Sequence, residues 1–439
     1  MKTNHLIVLI GLVLATLGRA EDLRDFQVSI ETEISGQRVI SWSSIPGRTY
    51  VIEESETLTL WKPIAGTELI AEQNVTRHSL PDSTSVRFLR VLESRPGPDW
   101  QEAFFNLPNA DGTEPDLTLE NKLRELIGMA APGSTLRACV YTWDREEMIA
   151  PFVEAAERGV DVRIIVGVNN DPVPDLSAAL PGRVIVCTNS AGEPDGCHGG
   201  RINHNKFFLF SDLTDGNSNC VLQSSANLTN LQLLNANNAV IFRNDEDLYT
   251  SYLDYWNALS EDLDDLNFYR KVVTSDSNEA HYFPRSSANG TTGELDPVVE
   301  ILRDVKPLEG GSIRVAMAFW TGPRSGIVNW LAALNQTGMD VQVIVDNEDT
   351  SSTIQNALKA GGIPLATFPQ LHSKYMLIDA MWRGKRQKIV LTGSHNYTGP
   401  ALNGNDETML VITNPLIYDA FLDNWNALNS HPLALEQKK

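Results

Sequence analysis

An internal repeat constrains the fold of this chain more than any other feature of its sequence. The repeated unit is a strand, a helix and a second strand, at 134–140, 146–158 and 159–166 in the first copy and at 312–319, 326–337 and 338–345 in the second. In each copy a glycine, Gly159 or Gly338, ends the helix directly before a buried strand. Continuous apolar strands joined by helices are typical of parallel sheets. The sequence therefore predicts a duplicated α/β domain.

The segments outside the repeat belong to other classes, and 439 residues are too many for one core. Residues 22–95 predict a small all-β sandwich, because apolar and polar residues alternate in short runs separated by turn residues. A stretch rich in Pro and Gly at 94–98 predicts a linker. We expect the first α/β half at 100–260, a polar connecting segment at 261–295 and the second half at 296–432.

The first twenty residues have the pattern of a signal peptide. Lys2 precedes an apolar run at 6–17, and the small residues Gly18 and Ala20 precede an acidic pair. An uncleaved membrane anchor is the alternative, but the run is too short to cross a bilayer comfortably. We therefore expect cleavage after residue 20 and a secreted or periplasmic protein.

The charge of the chain is strongly negative. The formal net charge is −21, and it becomes −23 without residues 1–20, whose charged side chains are Lys2 and Arg19. Such a field repels polyanions, so a nucleic acid is the less favoured partner.

Four cysteines are compatible with disulfides in an exported protein. Cys187 and Cys197 flank a loop that a disulfide could close. Cys139 and Cys220 each lie in a strand-like run, and they pair only if those strands are neighbours; two buried thiols are the alternative.

The residues of the repeat that can carry chemistry form two matching sets. The first set consists of His204, Lys206, Ser225 and Asn227, with Asn238 eleven residues after Asn227. The second set consists of His372, Lys374, Ser394 and Asn396, with Glu407 eleven residues after Asn396. One His-x-Lys pair predicts nothing, but two pairs at matching places in an internal repeat predict a catalytic site.

The spacing of each His-x-Lys pair suits phosphate chemistry. Residues i and i+2 of a strand face the same side, so each imidazole and its ammonium point together. Lysine and asparagine side chains bind the non-bridging oxygens and stabilise charge in the transition state. One imidazole attacks phosphorus while the other protonates the leaving oxygen. These groups suffice without a cofactor or metal ion.

These motifs resemble the phospholipase D superfamily over about residues 100–430. The Gly-Ser-His-Asn stretch at 393–396 and the Asn-Asp-Glu stretch at 405–407 look especially like secreted bacterial members. The resemblance implies two similar α/β halves packed around a shared, pseudo-twofold active site. It also implies phosphodiester hydrolysis or transphosphatidylation without metal. In family members the histidine of the first motif is usually the nucleophile and that of the second the general acid.

The first motif departs from the family pattern at its aspartate. Ser211 occupies the expected position and Asp212 follows one residue late, whereas Asp379 of the second motif is in place. We treat Asp212, Asp379 and His395, which lies inside the second Ser-x-Asn turn, as secondary site candidates.

The second departure is Asn238, where many family members carry a carboxylate and where Glu407 is the counterpart. We expect Glu407 beside His372, where a negative charge favours the imidazolium form, and Asn238 beside His204. This asymmetry assigns His204 as the nucleophile and His372 as the general acid, in agreement with the family order.

The sequence thus favours an exported phospholipase D-type enzyme that hydrolyses phospholipids or transfers their phosphatidyl group through a phosphohistidine. We expect a monomer that contacts membrane surfaces peripherally. A metal-independent nuclease of the same superfamily and an inactive adhesion or binding protein are the alternatives.

Overall fold

The computed structural model describes residues 28–32, 37–44, 49–55, 62–64, 69–70, 73, 75–80, 88–93 and 101–436 except 190, 194, 276 and 286–295. The chain forms two compact units, Met1–Trp100 and Gln101–Lys439. The predicted signal peptide and the predicted linker lie outside the described residues.

The N-terminal unit is all-β, as the alternating pattern predicts. Its strands are β1 (Val28–Thr32), β2 (Arg38–Ser43), β3 (Thr49–Ser55), β4 (Lys62–Pro63), β5 (Leu69–Ile70), β6 (Val75–Ser79) and β7 (Phe88–Glu93). One sheet has the order β1-β2-β6, and in the other β3 pairs with β4, β5 and β7. Ile40 and Trp42 of the first sheet pack with Tyr50, Ile52 and Val91 of the second. This shared core makes the unit a small sandwich.

The first half of the second unit is one mixed sheet with flanking helices. Its strands are β8 (Gln101–Asn106), β9 (Thr135–Val140), β10 (Asp161–Val166), β11 (Val184–Val186), β12 (Lys206–Asp212), β13 (Ser218–Ser224) and β14 (Asn237–Phe242). Its helices are α1 (Thr118–Met129), α2 (Ile149–Glu157), α3 (Val173–Ala179) and α4 (Glu246–Ser260), with short 3₁₀ helices at Glu146–Met148 and Leu231–Leu233. The strand order is β11-β10-β9-β12-β13-β14-β8.

The second half repeats this design. Its strands are β15 (Arg270–Val273), β16 (Glu279–Tyr282), β17 (Val305–Lys306), β18 (Ser312–Met317), β19 (Asp340–Val345), β20 (Leu365–Thr367), β21 (Lys374–Trp382), β22 (Lys385–Gly393), β23 (Thr408–Ile412) and β24 (Leu435–Glu436). Its helices are α5 (Pro297–Asp304), α6 (Ser325–Gln336), α7 (Ser352–Ala360), α8 (Gly399–Asn403) and α9 (Pro415–Ser430), with a 3₁₀ helix at Gly322–Arg324. The strand order is β15-β16-β23-β22-β21-β18-β19-β20-β24, and β17 pairs with β21.

The seven strands of the first sheet have counterparts in the second, which adds β15, β17 and β24. In both, two parallel pairs (β9–β10–β11 and β18–β19–β20) adjoin an antiparallel meander that begins with β12 or β21. Gly159 and Gly338 both have φ near 93°, so both helices end in the left-handed conformation that glycine tolerates. The duplicated α/β fold predicted from the repeat is therefore confirmed.

Helices α4 and α9 join the two halves. One hydrophobic cluster contains residues of both helices and of both sheets, while separate clusters fill the outer layer of each half. The indole of Trp256 in α4 donates to Ala138 O at 2.9 Å, and that of Trp425 in α9 donates to Val315 O at 3.1 Å. The halves therefore share a core and hold the site between them.

Of the two disulfides that the sequence allows, one forms and the other does not. Cys187 and Cys197 form a disulfide. Cys139 and Cys220 are buried free thiols, because β12 lies between the strands that carry them.

Among the residues described, no helix is long and apolar enough to cross a membrane.

Candidate active site

Each His-x-Lys pair lies where the central antiparallel strand of its sheet begins. Lys206 and Lys374 are the first residues of β12 and β21, and each histidine precedes its strand. Lys206 Nζ donates to His204 O at 2.6 Å, and Lys374 Nζ donates to His372 O at 2.7 Å. Each ammonium group is thus held next to its own histidine, and all four side chains are buried.

The two pairs meet at the boundary between the halves. The backbone N–H of His204 donates to Asp406 O of the second half, and that of His372 donates to Ala236 O of the first half, both at 2.9 Å. These reciprocal bonds bring the four side chains into one cluster. Burial and the charge of Lys206 lower the pKa of His204, and the charge of Lys374, from the other half, lowers it further.

The imidazole partners also cross between the halves. His204 Nδ1 lies 2.9 Å from Glu407 Oε2, and His372 Nδ1 lies 2.9 Å from Asn237 Oδ1. The expectation that Glu407 lies beside His372 and Asn238 beside His204 is therefore wrong. It assumed that each histidine takes its partner from its own half, whereas the pseudo-twofold packing supplies the partner from the opposite one.

The amide partner of His372 is Asn237 rather than Asn238. The reason is that the segment from Ser225 to this partner is one residue shorter than the segment from Ser394 to Glu407 in the second half. Ser225 Oγ bonds Asn237 Oδ1 at 3.0 Å, just as Ser394 Oγ bonds Glu407 Oε2 at 2.6 Å. Counted from these serines, the partner is twelve residues away in the first half and thirteen in the second.

Asn238 binds the second half through both polar atoms of its side chain. Its Nδ2 donates to Thr392 Oγ1 at 2.8 Å, and its Oδ1 accepts the backbone N–H of Lys374 at 3.0 Å. Asn238 therefore positions the second His-x-Lys pair from the opposite half.

Hydrogen bonds fix the orientation of both histidine partners. Asn237 Nδ2 donates to two backbone carbonyls, at 3.0 and 3.1 Å, which turns its oxygen towards His372. Glu407 accepts from Ser394 Oγ and, at 3.1 Å, from Asn405 Nδ2. Both Nδ1 atoms therefore carry a proton towards an acceptor, and Nε2 is the nitrogen that can react in each ring. Nε2 of His372 lies 3.3 Å from Lys374 Nζ.

Asn227 and Asn396 have unused hydrogen-bonding capacity. In the described part of the chain, neither Asn227 Oδ1 nor Asn396 Oδ1 has a hydrogen-bond partner, although both atoms are buried. Buried amides without partners are costly, so they are typical of sites that a ligand completes.

Burial and the crowding of cations shift the pKa values of the cluster. Burial, followed by the charges of the two lysines, lowers the pKa of both histidines well below its usual range. Burial also lowers the pKa of Lys206 to about 7 and that of Lys374 well below its usual range. It raises the pKa of Glu407 to about 8. Burial is the largest cause of each of these shifts, so it favours the neutral form of every group in the cluster.

The three secondary candidates Asp212, Asp379 and His395 do not join the cluster. Asp212 is exposed and accepts from Ser211 Oγ at 2.8 Å. Asp379 forms a two-bond ion pair with Arg386 on the neighbouring strand, both contacts at 2.9 Å.

His395 is buried behind Asn396. It stacks on Phe283 with ring centroids 4.4 Å apart, and its ring nitrogens lie 3.2 and 3.4 Å from Arg324 Nη1. Arg324 also donates to Asn396 O at 3.0 Å, so this cluster supports the turn that presents Asn396.

Two contributors besides Asn237 were missed by the sequence analysis. Asp406 is buried and accepts the backbone N–H groups of Cys197 and Gly199 at 2.5 and 2.8 Å. Asp406 thereby links the disulfide loop to the segment that carries Glu407. A Cβ added to Gly199 would lie 2.2 Å from Gly404 O, so only glycine permits this approach. The Gly-rich sequence around Cys197 was the available signal.

Tyr141 is the second missed contributor. Its ring centroid lies 5.1 Å from that of His204, and Lys206 Nζ lies 5.4 Å from the Tyr141 centroid. It follows strand β9 directly, and no motif marks it in the sequence.

Two similar α/β halves that each supply a His-x-Lys pair to one shared cluster are characteristic of phospholipase D-like proteins. The family described as "Cardiolipin synthase, PLD-like domain" matches residues 123–259 and 310–428, more than half of the chain. The chain belongs to this family of the phospholipase D superfamily, and the resemblance seen in the sequence is confirmed.

Two solved structures have a similar fold. Polyphosphate kinase from Porphyromonas gingivalis has a TM-score of 0.51 and 14% identity, over 76% of this chain and 48% of that one. This chain thus spans about half the length of the kinase. Phosphatidylserine synthase from Haemophilus influenzae Rd KW20 has a TM-score of 0.52 and 12% identity, over 78% and 89% of the two chains. At these identities the similarity concerns the fold. No curated protein sequence matches the chain.

Proposed function

We propose that this protein is an exported phosphodiesterase that hydrolyses phospholipids, or transfers their phosphatidyl group to an alcohol, through a phosphohistidine. The observation that carries the proposal is the reciprocal cross-half pairing of the two histidines, His204 with Glu407 and His372 with Asn237. It orients two Nε2 atoms in one buried site that also holds two ammonium groups.

The charge of the cluster suits a phosphodiester. Two lysines and one carboxylate give a net charge of about +1 when all are ionised, and a phosphodiester carries one negative charge. Burial and then the lysine charges lower the histidine pKa values, and the charge of an anionic substrate opposes the lysine charges. Binding therefore favours the protonated form that the general acid requires.

The reaction consists of two displacements at phosphorus. Nε2 of His204 attacks, the bond from phosphorus to the leaving oxygen breaks, and Nε2–H of His372 gives its proton to that oxygen. His372 then takes a proton from water or an alcohol, whose oxygen displaces Nε2 of His204. Lys206, Lys374 and the amides of Asn227 and Asn396 stabilise the non-bridging oxygens throughout.

The unequal partners of the two histidines support this division of roles. The phosphohistidine ring carries positive charge, and the Glu407 carboxylate at Nδ1–H of His204 stabilises it. A general acid must release its proton readily. The neutral amide of Asn237 leaves the His372 imidazolium a stronger acid than a carboxylate would. The role assignment is thus kept, but it rests on the opposite placement of Glu407 from the one the sequence suggested.

Export is supported by the pattern of residues 1–20 and by the disulfide between Cys187 and Cys197, since disulfides persist in oxidising compartments. The net charge of −21 favours a lipid over a polyanionic substrate. We further propose that the protein acts as a monomer in peripheral contact with membranes.

The test is an assay of the purified protein on phosphatidylcholine micelles and on single-stranded DNA, both in EDTA, with His204→Ala as the control. We expect choline release that persists in EDTA and is absent from the control. Cleavage of DNA alone would identify a nuclease, and inactivity on both substrates would favour a binding protein. Loss of activity in EDTA with recovery on adding a divalent ion would contradict the histidine mechanism.

A further inference from the structure

Three extended segments lie side by side at the edge of the second-half sheet where the His372 motif begins. Trp320 forms parallel β-bridges with Tyr397 on one side and with Thr350 on the other. All three residues are buried, and the rings of Trp320 and Tyr397 are in contact, with centroids 5.1 Å apart. Because neighbouring residues of an extended segment face opposite sides, the residues that precede these three share the other face.

The residues on that other face are the active-site amide, an aromatic ring and a carboxylate, namely Asn396, Phe319 and Asp349. Asn396 is 8% exposed, Phe319 is partly exposed and Asp349 is exposed. The backbone N–H of Ala318 donates to Ser373 O at 3.1 Å, which holds Phe319 alongside the second His-x-Lys motif. This face therefore leads from the catalytic cluster to solvent.

Asp349 lies within electrostatic range of the cluster. Val345, the last residue of β19, pairs with Met317, which pairs with Lys374. The Cα atoms of Val345 and Lys374 are thus separated by two strand spacings, about 10 Å. Burial and two neighbouring carboxylates raise the pKa of Asp349, and the charge of Lys374 opposes them. The acidic turn after β19 is therefore at the rim of the catalytic cluster.

Asn396 requires a hydrogen-bond donor that a phosphodiester does not have. In the described part of the chain its buried Oδ1 accepts no hydrogen bond. A phosphodiester anion offers only acceptors, so it can bind the amide Nδ2 but leaves Oδ1 without a partner. A primary ammonium group supplies N–H donors to an amide oxygen, and its charge is attracted both by a carboxylate and by the face of an aromatic ring.

The first half differs at the corresponding positions. Trp143 forms the equivalent bridge there, and the residue before it is Thr142 instead of an aromatic one. The four residues after β10, 167–170, include no acid, whereas the four after β19, 346–349, include three. The groups that attract a cation therefore lie on the side of His372.

We infer that Asn396, Phe319 and Asp349 bind the ammonium group of the leaving alcohol, so that the enzyme selects phospholipids with a primary-amine headgroup. In an in-line displacement the leaving oxygen lies opposite the attacking nitrogen of His204 and hence beside His372. The headgroup alcohol thus leaves on the side where the three groups lie. The inference rests on the proposed function and names its substrate class.

The first test compares kcat/KM for phosphatidylethanolamine with kcat/KM for phosphatidylglycerol, whose headgroup is neutral, in micelles of a neutral detergent. We expect the wild type to prefer phosphatidylethanolamine and Asp349→Asn to lower the ratio by about fivefold or more. The matched control is Asp171→Asn, which removes an exposed carboxylate from the corresponding loop of the first half. No preference in the wild type, or equal ratios in the two variants, overturns the inference.

Phe319 separates a contact from a long-range field, because its replacement leaves the net charge unchanged. Phe319→Thr introduces the residue that the first half has at this position and should lower the ratio by about threefold or more. Phe319→Tyr keeps an aromatic face and should keep the ratio. If Phe319→Thr leaves the ratio unchanged, Asp349 acts through its field alone, and the ammonium subsite is refuted.

Calorimetry distinguishes the failure of this inference from the failure of the proposed function. The full-length His204→Ala variant cannot form the phosphoenzyme, so it binds diesters without turnover. We expect glycerophosphoethanolamine to bind it at least about fivefold more tightly than glycerophosphoglycerol, and Asp349→Asn in the same chain to abolish this preference. Absence of lipid turnover by the wild type would refute the proposed function. Equal binding of the two diesters, or binding of neither, would refute the ammonium subsite.

Discussion

The imidazole of His204, in the first half of the α/β unit, donates from Nδ1 to the carboxylate of Glu407, in the second half, across 2.9 Å. The equivalent contact of His372 is made by the neutral amide of Asn237. The site is thus symmetric in backbone and asymmetric in charge, and this asymmetry separates the roles of the two histidines.

Replacing Glu407 by Gln removes the charge and keeps the shape. We expect kcat to fall by about 10²–10⁴-fold with a much smaller change in KM, because the carboxylate acts on the charge that develops in the imidazole. Steady-state kinetics on phosphatidylcholine check this, with the distant Asp379→Asn as control. A rise in KM with an unchanged kcat would mean that Glu407 only shapes the binding site.

The leaving group separates the nucleophile from the general acid. His204→Ala should be inactive on every diester, because no phosphoenzyme can form. His372→Ala should regain much of its rate of phosphoenzyme formation on a p-nitrophenyl phosphodiester, since p-nitrophenolate leaves without a proton. Trapping of a labelled phosphoenzyme by a quench in alkaline detergent, in which the P–N bond survives, should succeed with His372→Ala and fail with His204→Ala. The reverse result would exchange the two roles.

The buried charge of Lys206 should lower the free energy of unfolding below pH 7. Burial lowers its pKa to about 7 in the folded protein, from about 10.4 in the unfolded chain. Below pH 7 both states are protonated and the cost of the buried charge is complete. As pH rises from 7 towards 10.4, the folded state loses the proton first and stability increases.

We therefore expect Lys206→Met to be inactive and to raise Tm by about 2–6 °C at pH 6, with a smaller rise at pH 9. Calorimetry at the two pH values measures the difference, and the exposed Lys359→Met serves as control. A rise of equal size at both pH values would show that the charge of Lys206 does not cost stability.

The aspartate of the second motif should be structural. Asp379 holds Arg386 on the adjacent strand and does not contact the cluster. Asp379→Asn should lower Tm by at most a few degrees and leave kcat and KM within about twofold, because the partner arginine is largely exposed. A large loss of kcat with an unchanged Tm would place Asp379 in the reaction.

The disulfide should support the site as well as the fold. It closes a loop across a sequence separation of 10 residues, and Cys197 N–H in that loop binds Asp406 beside Glu407. Loop closure of this length stabilises by about 2–3 kcal/mol. Dithiothreitol should lower both Tm and kcat of the wild type, and a Cys187→Ser/Cys197→Ser variant should be insensitive to it. An unchanged kcat after reduction would limit the disulfide to a role in stability.

The duplicated fold and the two His-x-Lys pairs follow from local patterns along the chain. Strand and helix periodicity is local, so the repeat of strand, helix and strand could be read without knowing any contact. The same locality places each lysine two residues after its histidine, where the strand begins.

Long-range packing of the two halves determines which side chains meet across the repeat. Glu407 lies beside His204 because the halves pack with their strand ends reciprocally hydrogen-bonded, and no spacing along the chain encodes that exchange. A first-half loop that is one residue shorter than its second-half counterpart makes Asn237, rather than Asn238, the amide partner. Cys139 and Cys220 stay free thiols for the same physical reason. Long-range pairing places β12 between the two strands that carry them.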